Sequence, residues 1–479
     1  MPDSLRPLHA GSAWNRLPLP SRQAGGQRAT AGQAGQSLRP RLLITIYVIA
    51  LPLWWVLGVD FAMPLLLASA LFYVSPATHR DFTASDHLLV AIIVVMGSAA
   101  YLNGFLIGRH TLRFAAALYN LSIWVCGLVV LQQARSILLH GSAGREAALR
   151  AGFVAFLTFA AVAWGSFIGA YALGEAALEA PSLFGMTAGD LVPASAALIK
   201  QSMVVVFTRP DWGLPGVEMP RIVVYGPYPT ATAAVTAVLG TLALLHLQGR
   251  GKGQGRGLAL AGMAIEALIL LTLAITLTRS ILAGWLLGAV AAALIFGTAW
   301  RRILAVGALA VAIPLSFHVD LSGAAGYRGY STESRFENYE RAVGRTLDHN
   351  PILGLGVKPR EQDNHIAVGS HSTFVSSFTK SGTLGLSLVV AYLVLLPAYR
   401  WLGAIAGASR RSTGEMAELR ILFNLQVALW VWLCFEDIDA PATAAMLIFL
   451  AFALIEVSLR IGPRGGAGRR AGRLSDRAG

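Results

Sequence analysis

Residues 257–297 read GLALAGMAIEALILLTLAITLTRSILAGWLLGAVAAALIFG, two apolar stretches that meet at Thr278-Arg279-Ser280, with Glu266 and Arg279 the only charges. A membrane-spanning helix needs about 20 mainly apolar residues. Each half approaches that length, so the segment predicts a helical hairpin that crosses a bilayer twice. Outward from it the pattern repeats. Apolar segments fall near residues 42–59, 61–75, 88–107, 112–133, 151–173, 222–247, 257–277, 281–297, 303–317, 383–399, 419–435 and 441–459. The fold class this predicts is all-α, one polytopic bundle of about 12 transmembrane helices. Composition agrees: 55% hydrophobic and 13% charged residues in a 479-residue chain, with mean hydropathy +0.60, exclude a water-soluble interior. They also exclude a porin-like barrel, a secreted disulfide scaffold and a long disordered chain. Cys126 and Cys434 both stand in apolar runs, where a small buried thiol is the expected state.

Threading the segments alternately divides the basic residues unevenly. Arg80, Arg135, Arg145, Arg150, Arg250, Lys252, Arg256, Arg301, Arg302, Arg400, Arg410, Arg411 and Arg420 fall in the short links of one side, thirteen against Arg109, Arg113 and Arg279 on the other. The positive-inside rule makes the first side cytosolic. Residues 1–40 then form a disordered cytosolic tail, residues 41–460 the transmembrane domain and residues 461–479 a basic cytosolic tail. The net charge of +13 is spread between apolar segments instead of concentrated in a patch, which argues against nucleic acid as a partner. Gly251–Gly257 (GKGQGRG) lacks the strand and helix of a phosphate-binding loop and reads as a linker.

Two connections, 174–221 and 318–382, are too long for turns, and both fall on the exoplasmic side. Long loops carry function more often than the helices that hold them. In the second loop, Ser331–Leu347 has helical periodicity: Phe336, Val343 and Leu347 share a face with Tyr339 and Ala342 beside it, and Arg341 and Arg345 lie on another. Ser334 with Glu337 matches a capping box and predicts a helix that starts at Arg335. A guanidinium beside a helix N-terminus suits a diphosphate. A plain amphipathic helix on the membrane surface fits the same periodicity equally well. Arg279, isolated between apolar runs, needs a partner or a place at the interface. His371, where the loop re-enters the membrane, can accept a proton from a hydroxyl, although an interfacial histidine is more often structural; His349 and His365 compete with it. Glu436-Asp437-Ile438-Asp439 contains a carboxylate pair that could hold a divalent ion, with capping or pairing to the loop arginines the commoner outcome. In the first loop, Trp212, Tyr225, Tyr228, Pro210, Pro215 and Pro220 suit sugar stacking and loop rigidity alike.

Taken in order, these pieces resemble a known family. Thr278-Arg279-Ser280, then Ser334-Arg335-Phe336 with Tyr339 and Ala342, then Asn350-Pro-Ile-Leu-Gly-Leu-Gly356, Gly369-Ser-His-Ser-Thr373 and Lys380-Ser-Gly-Thr-Leu-Gly-Leu386 are similar to the O-antigen ligase/polymerase superfamily of bacterial envelopes. The detailed likeness covers about residues 257–400. Many members read His-Asn where this chain has His371-Ser372. The resemblance implies a GT-C-like membrane glycosyltransferase of the bacterial cytoplasmic membrane, using no cofactor, metal ion or nucleotide-sugar. Its donor would be an undecaprenyl-diphosphate-linked glycan and its other partners a glycan acceptor, the lipid bilayer, a chain-length regulator and a flippase. Arg279 and Arg335 would hold the diphosphate and His371 would stand by the acceptor hydroxyl. Those three form the expected catalytic set. Arg279, Arg335, Arg341, Arg345, Tyr339 and Ser372 form the expected substrate-binding set. A polymerase that joins lipid-linked repeat units is the first expectation. A ligase that moves the glycan to lipid A core or protein, and a lipid-glycan transporter, are the alternatives.

Overall fold

A computed structural model of the chain describes residues 31–75, 82–108, 111–140, 142–189, 192, 200, 202–214, 217–250, 256–307, 329–359, 369, 371–440 and 442–460. Among them the helices are α1 (Ala31–Ile49), α2 (Leu51–Leu57), α3 (Met63–Val74), α4 (Ala84–Ala99, continued by a wide turn Ala100–Ile107), α5 (Thr111–His140) and α6 (Ser142–Leu173). After the first long loop come α7 (Pro229–Arg250), α8 (Arg256–Ile275) and α9 (Arg279–Phe296), then a helical stretch at 299–307. The second loop carries α10 (Gly329–His349), and α11 (Thr373–Val390, extended to Ala406), α12 (Thr413–Phe435) and α13 (Ala442–Arg460) complete the chain. Among the described residues nine helices are long and apolar enough to cross a membrane, ten when α1 and α2, bent by 60°, count as one. The bend falls at Pro52, which has no N–H to continue α1. At 12 residues α3 is apolar but short of a span by itself. Residues 308–317 of the ninth expected segment lie outside the described residues.

The bundle is built around α7 and α13. Their apolar stretches are 89% and 94% buried, against 22% for the peripheral α8. Hydroxyls inside α7 bond within their own helix, Thr236 to the Thr232 carbonyl at 2.9 Å and Thr241 to the Ala237 carbonyl at 2.8 Å, because a dry interior offers no water. Small residues set the closest approaches. Gly284 of α9 lies on Ala428 of α12, Gly288 lies on Asn424, and Gly127 of α5 accepts the ring of Phe449.

The loop 174–221 is not irregular. Strands β1 (Leu178–Pro181), β2 (Val204–Leu214) and β3 (Val217–Ile222) make an antiparallel sheet in the order β1-β2-β3. The all-α expectation therefore holds for the membrane part only. Val204-Val-Val-Phe207 and Ile222-Val-Val-Tyr225 are β-branched and aromatic runs that favour extended backbone, and Pro229 opens α7. That is why the span expected at 222–247 begins seven residues late.

Contacts sort the links into two ends. At one, Gly58 packs on Ser182 and Ser202, Asn103 Nδ2 donates to the Gly354 carbonyl at 2.7 Å and Arg221 Nε donates to the Thr276 carbonyl at 3.2 Å. This sheet end gathers the sheet, α10 and the turns after α2, α8 and α12. At the other end Arg135 bonds Asp86 at 2.5 Å and Glu456 at 3.1 Å, Arg400 meets Glu456 at 2.8 Å and Arg145 meets Glu418 at 2.5 Å. These three arginines belong to the set that the alternate threading puts on one side.

Helix α11 is broken where Ser381 and Gly382 leave helical geometry. The break is filled by Pro351–Gly356. Leu355 and Gly356 amides donate to the Thr379 and Lys380 carbonyls at 2.8 and 3.0 Å, and the Thr383 and Leu384 amides donate to the Pro351 and Ile352 carbonyls at 2.8 and 3.3 Å. The two glycine-containing motifs thus satisfy each other's backbone. Gly382 has φ 62 and ψ −159, a conformation open essentially to glycine alone, and a side chain there would strike the Ile352 backbone. Gly382→Ala is expected to destabilise the protein by about 2 kcal/mol or more. Gly344→Ala, in α10 with open space around it, should be neutral or slightly stabilising. Thermal unfolding in detergent compares the two; equal midpoints would contradict the backbone exchange.

Candidate functional site

Three carboxylates occupy the turn Glu436–Ala440 between α12 and α13, and all three are buried. The Thr373 hydroxyl, at the start of α11, donates to the Glu436 carbonyl at 2.7 Å and accepts from the Ile438 amide at 3.0 Å, which ties the turn to the re-entry of the second loop. Each acid faces its own cation. Arg335 of α10 stands 3.6 Å from Glu436, Lys358 contacts Asp437, and Lys380 of α11 meets Asp439 at 2.5 Å. Trp124 Nε1 also donates to Asp439, at 2.9 Å. An unpaired buried charge is costly, so removing one partner exposes the full desolvation penalty of the other. For Asp437, burial alone raises the carboxyl, but Lys358 and Lys380 outweigh it and hold it well below the ordinary range. Glu436 goes the other way. Burial pushes its carboxyl up to about 7, against the opposing pull of Arg335.

His371 lies beside this layer. Its backbone is left-handed, φ 69, and its carbonyl accepts the Tyr339 hydroxyl from α10. Asn338, on the same face of α10, accepts from the Gly369 amide at 2.8 Å. Burial, then the positive charges of Arg335 and Lys358, lower the His371 imidazole to about 4, so it is neutral at pH 7. Burial also pushes the Tyr339 phenol up to about 12, and its proton stays in place for the bond to His371. Ser372 is buried and caps α11 by accepting from the Val375 amide at 3.4 Å. In this structure Tyr339 and Ser372 position the histidine loop.

Arg335 and Tyr339 of α10 therefore come together with His371 and Ser372 of the loop, 32 residues further on from Tyr339 to His371. Arg279 is reached by register. In the antiparallel pair α9 and α12, Gly284 lies on Ala428 and Gly288 on Asn424, so the first residue of α9 falls near the level of Leu433 and Cys434, about one turn short of Glu436. Arg341 is held within α10 by Glu337, 3.6 Å away, and Arg345 is exposed. His349 ends α10 on the exposed side, and His365 lies outside the described residues.

One expectation for α10 is corrected. The helix starts at Gly329, so Ser334 is interior and Arg335 is in the second turn, away from the helix N-terminus. Serine and threonine cost only up to about 0.7 kcal/mol each inside a helix, a penalty that the added backbone hydrogen bonds can offset. The buried face is Asn338, Ala342 and Thr346, whereas Phe336, Val343 and Leu347 are 62%, 37% and 54% exposed.

No protein-family model and no curated protein matches this chain.

Sequence reading missed Lys358, Lys380, Arg221 and Asn338. Arg221 reaches the Thr276 carbonyl and adds to the positive field at Glu436. The lysines did leave a signal. Only four of the 38 basic residues are lysine, and two of those four stand in or within two residues of the motif segments, each as a compact ammonium against one buried carboxylate. Asn338 and Arg221 left none, since any polar residue of a loop helix or strand looks alike before the fold is known.

The raised Glu436 sets a pH dependence. A carboxyl whose pKa is higher in the fold binds its proton more tightly there, so stability falls as pH rises from about 4.5 to about 7. Across that window the wild type should lose roughly 3 kcal/mol that Glu436→Gln does not lose. Denaturation midpoints at pH 5 and pH 8 measure the difference; parallel losses in both proteins would refute the assignment.

Proposed function

We propose that this protein is a bacterial cytoplasmic-membrane glycosyltransferase that joins undecaprenyl-diphosphate-linked repeat units into a surface polysaccharide. The observation that carries the reading is the meeting of the Arg335 guanidinium with a neutral His371 at one end of a polytopic bundle, with the first residue of α9, Arg279, near the same level. The arginine bias of the links supports an exoplasmic position for that end. A lipid diphosphate fits there, its chain among the helices and its glycan in water.

In the proposed step the acceptor hydroxyl oxygen attacks the anomeric carbon. The bond from that carbon to the diphosphate oxygen breaks, its electron pair stays on the diphosphate, and configuration inverts. Arg335 and Arg279 stabilise the developing charge, which needs no proton donor. The acceptor proton passes to the His371 imidazole. In the free protein that ring is a poor base, because the Arg335 charge and burial both oppose its protonation. A bound diphosphate offsets the Arg335 charge, so donor binding makes His371 more basic when a base is needed.

The decisive experiment incubates purified protein with lipid-linked repeat units. Lengthened lipid-linked chains support the polymerase. Transfer only to an added acceptor indicates a ligase, and movement across vesicles without new bonds a transporter. Arg335→Lys and Arg279→Lys, which keep the charge but lose the planar fork, should each reduce turnover strongly in protein that still inserts and accumulates. Full activity in the double variant would remove the diphosphate role.

His371→Ala should slow transfer by about 10²–10⁴-fold. For the wild type the acid limb of kcat/KM, which reports the free protein, should fall near pH 4, and the acid limb of kcat, which reports the complex, at a higher pH. Coincident limbs would sink the donor-induced change in basicity.

A further inference from the structure

Across the Asp437–Ala440 turn from His371 lies a second cleft that the transfer step does not use. It is walled by the turn between α2 and α3, strand β2, the Tyr225–Pro227 segment and the start of α13, and the space in and in front of it, open solvent included, is about 640 Å3. Aromatic rings form much of the wall. Trp55 and Tyr225 meet edge to face at 5.4 Å, and Phe61 and Tyr119 also line the cleft. Among them are a carboxylate, Asp60, and a guanidinium, Arg209, with Ser202 and Thr443 adding hydroxyls.

The acid is held in place from two sides. Gly58 ends α2 with φ 75 and is pressed on Ser182 and Ser202 of the loop 174–221, and the Tyr119 hydroxyl donates to the Phe61 carbonyl at 3.0 Å. Ser202 hydrogen-bonds the Asp60 carboxylate, and burial raises that carboxyl to about 6. Glu436, Asp437 and Asp439 each face a cation; among the described residues no salt bridge includes Asp60. Tyr225 is the second observation. It is 1% exposed, sits at φ 59, and its hydroxyl has no hydrogen-bond partner among the described residues. A bulky residue in left-handed backbone is strained, and such strain gathers at ligand clamps. An orphaned buried hydroxyl is costly until something bonds it.

The wall chemistry selects the ligand class. A phosphate or nucleotide is repelled by Asp60, and an acyl chain would leave Asp60, Arg209 and the tyrosine hydroxyl without partners. A single carboxylate beside an arginine is a poor cation site. A saccharide satisfies every group: its C–H faces cover aromatic rings, its hydroxyls donate to Asp60, and its oxygens accept from Arg209 and Tyr225. We propose that this cleft is a glycan-binding subsite, in which Asp60, Arg209 and Tyr225 hold a stretch of saccharide against the aromatic wall. Naming the bound chain as the acceptor rests on the glycan-transfer reading. The cleft lies next to the Glu436–Ala440 turn, so a chain seated in it can extend towards His371. The loop 174–221 then has a task, since it supplies Ser202 and, from β2, Arg209.

The test measures binding without any lipid-diphosphate donor. Purified full-length protein in nanodiscs is applied to a printed array of bacterial surface oligosaccharides. The wild type should retain a subset of them. Asp60→Asn should weaken retention about tenfold or more, and Tyr225→Phe about fivefold, the losses expected for a charged and a neutral hydrogen bond. Asp60→Asn keeps the side-chain shape; if it fails to accumulate, Arg209→Gln on an exposed strand position carries the test with a several-fold loss. No retention by the wild type, or equal retention by wild type, Asp60→Asn and Arg209→Gln, overturns the subsite. Retention without any chain extension from lipid-linked units leaves the cleft standing and sinks the transfer reading. Extension without retention does the reverse.

Discussion

Three carboxylates confined to one turn inside a low-dielectric interior impose the constraint on which the sheet end depends. Each faces a cation, and the cations come from three separate places: Arg335 from the loop helix α10, Lys358 from the segment after it, and Lys380 from the half-helix of α11. Pairing therefore fixes where the second long loop lies, to within a hydrogen bond, at three points along its length. Buried ion pairs add little net stability over apolar packing, but they make misplacement expensive. The same logic runs at the opposite end, where Arg135 joins Asp86 and Glu456. The bundle is clamped by charge at both ends and packed by small residues between them.

The half-helix gives the loop a second hold. A continuous α11 would have satisfied its own backbone and offered nothing to Pro351–Gly356. By breaking at Ser381–Gly382, it leaves two carbonyls and two amides to be met from the loop, and the loop meets all four. The break also turns Lys380 to Asp439 and lets Thr373, at the other end of the same short helix, hold the Glu436 turn. His371 is thus positioned by neighbours on both sides of it, Tyr339 and Asn338 from α10 and the capped start of α11.

Much of this was legible in the sequence, and the limits were physical. Apolar runs of spanning length mark helices because nothing else satisfies the backbone in lipid. The segments ending at Ile107, Leu173, Ile275 and Phe435 could accordingly be read off with small errors. The stretch 222–228 could not, because Ile222-Val-Val-Tyr225 is as apolar as a span, and only pairing with β2 makes the first of it a strand. His371 and Arg335 stood out by motif, but the start of α10 was misjudged: a serine followed three residues later by a glutamate occurs inside helices as well as at their ends. Asn338 and Arg221 act through partners distant in sequence, and such pairing leaves no local trace.

Helix α10 has two faces that answer to different media. Its inner face carries Arg335, Asn338 and Tyr339 to the carboxylate layer and the histidine loop, while Phe336, Val343 and Leu347 point outwards as an apolar stripe. In a bilayer such a stripe settles at the boundary between headgroups and acyl chains. The height of that boundary then bears on Arg335 through a rigid helix, with no flexible link to absorb a change. Bilayer thickness becomes a mechanical input to the site: a thicker membrane pulls the stripe outwards and strains the Arg335–Glu436 pair, and a thinner one relaxes it.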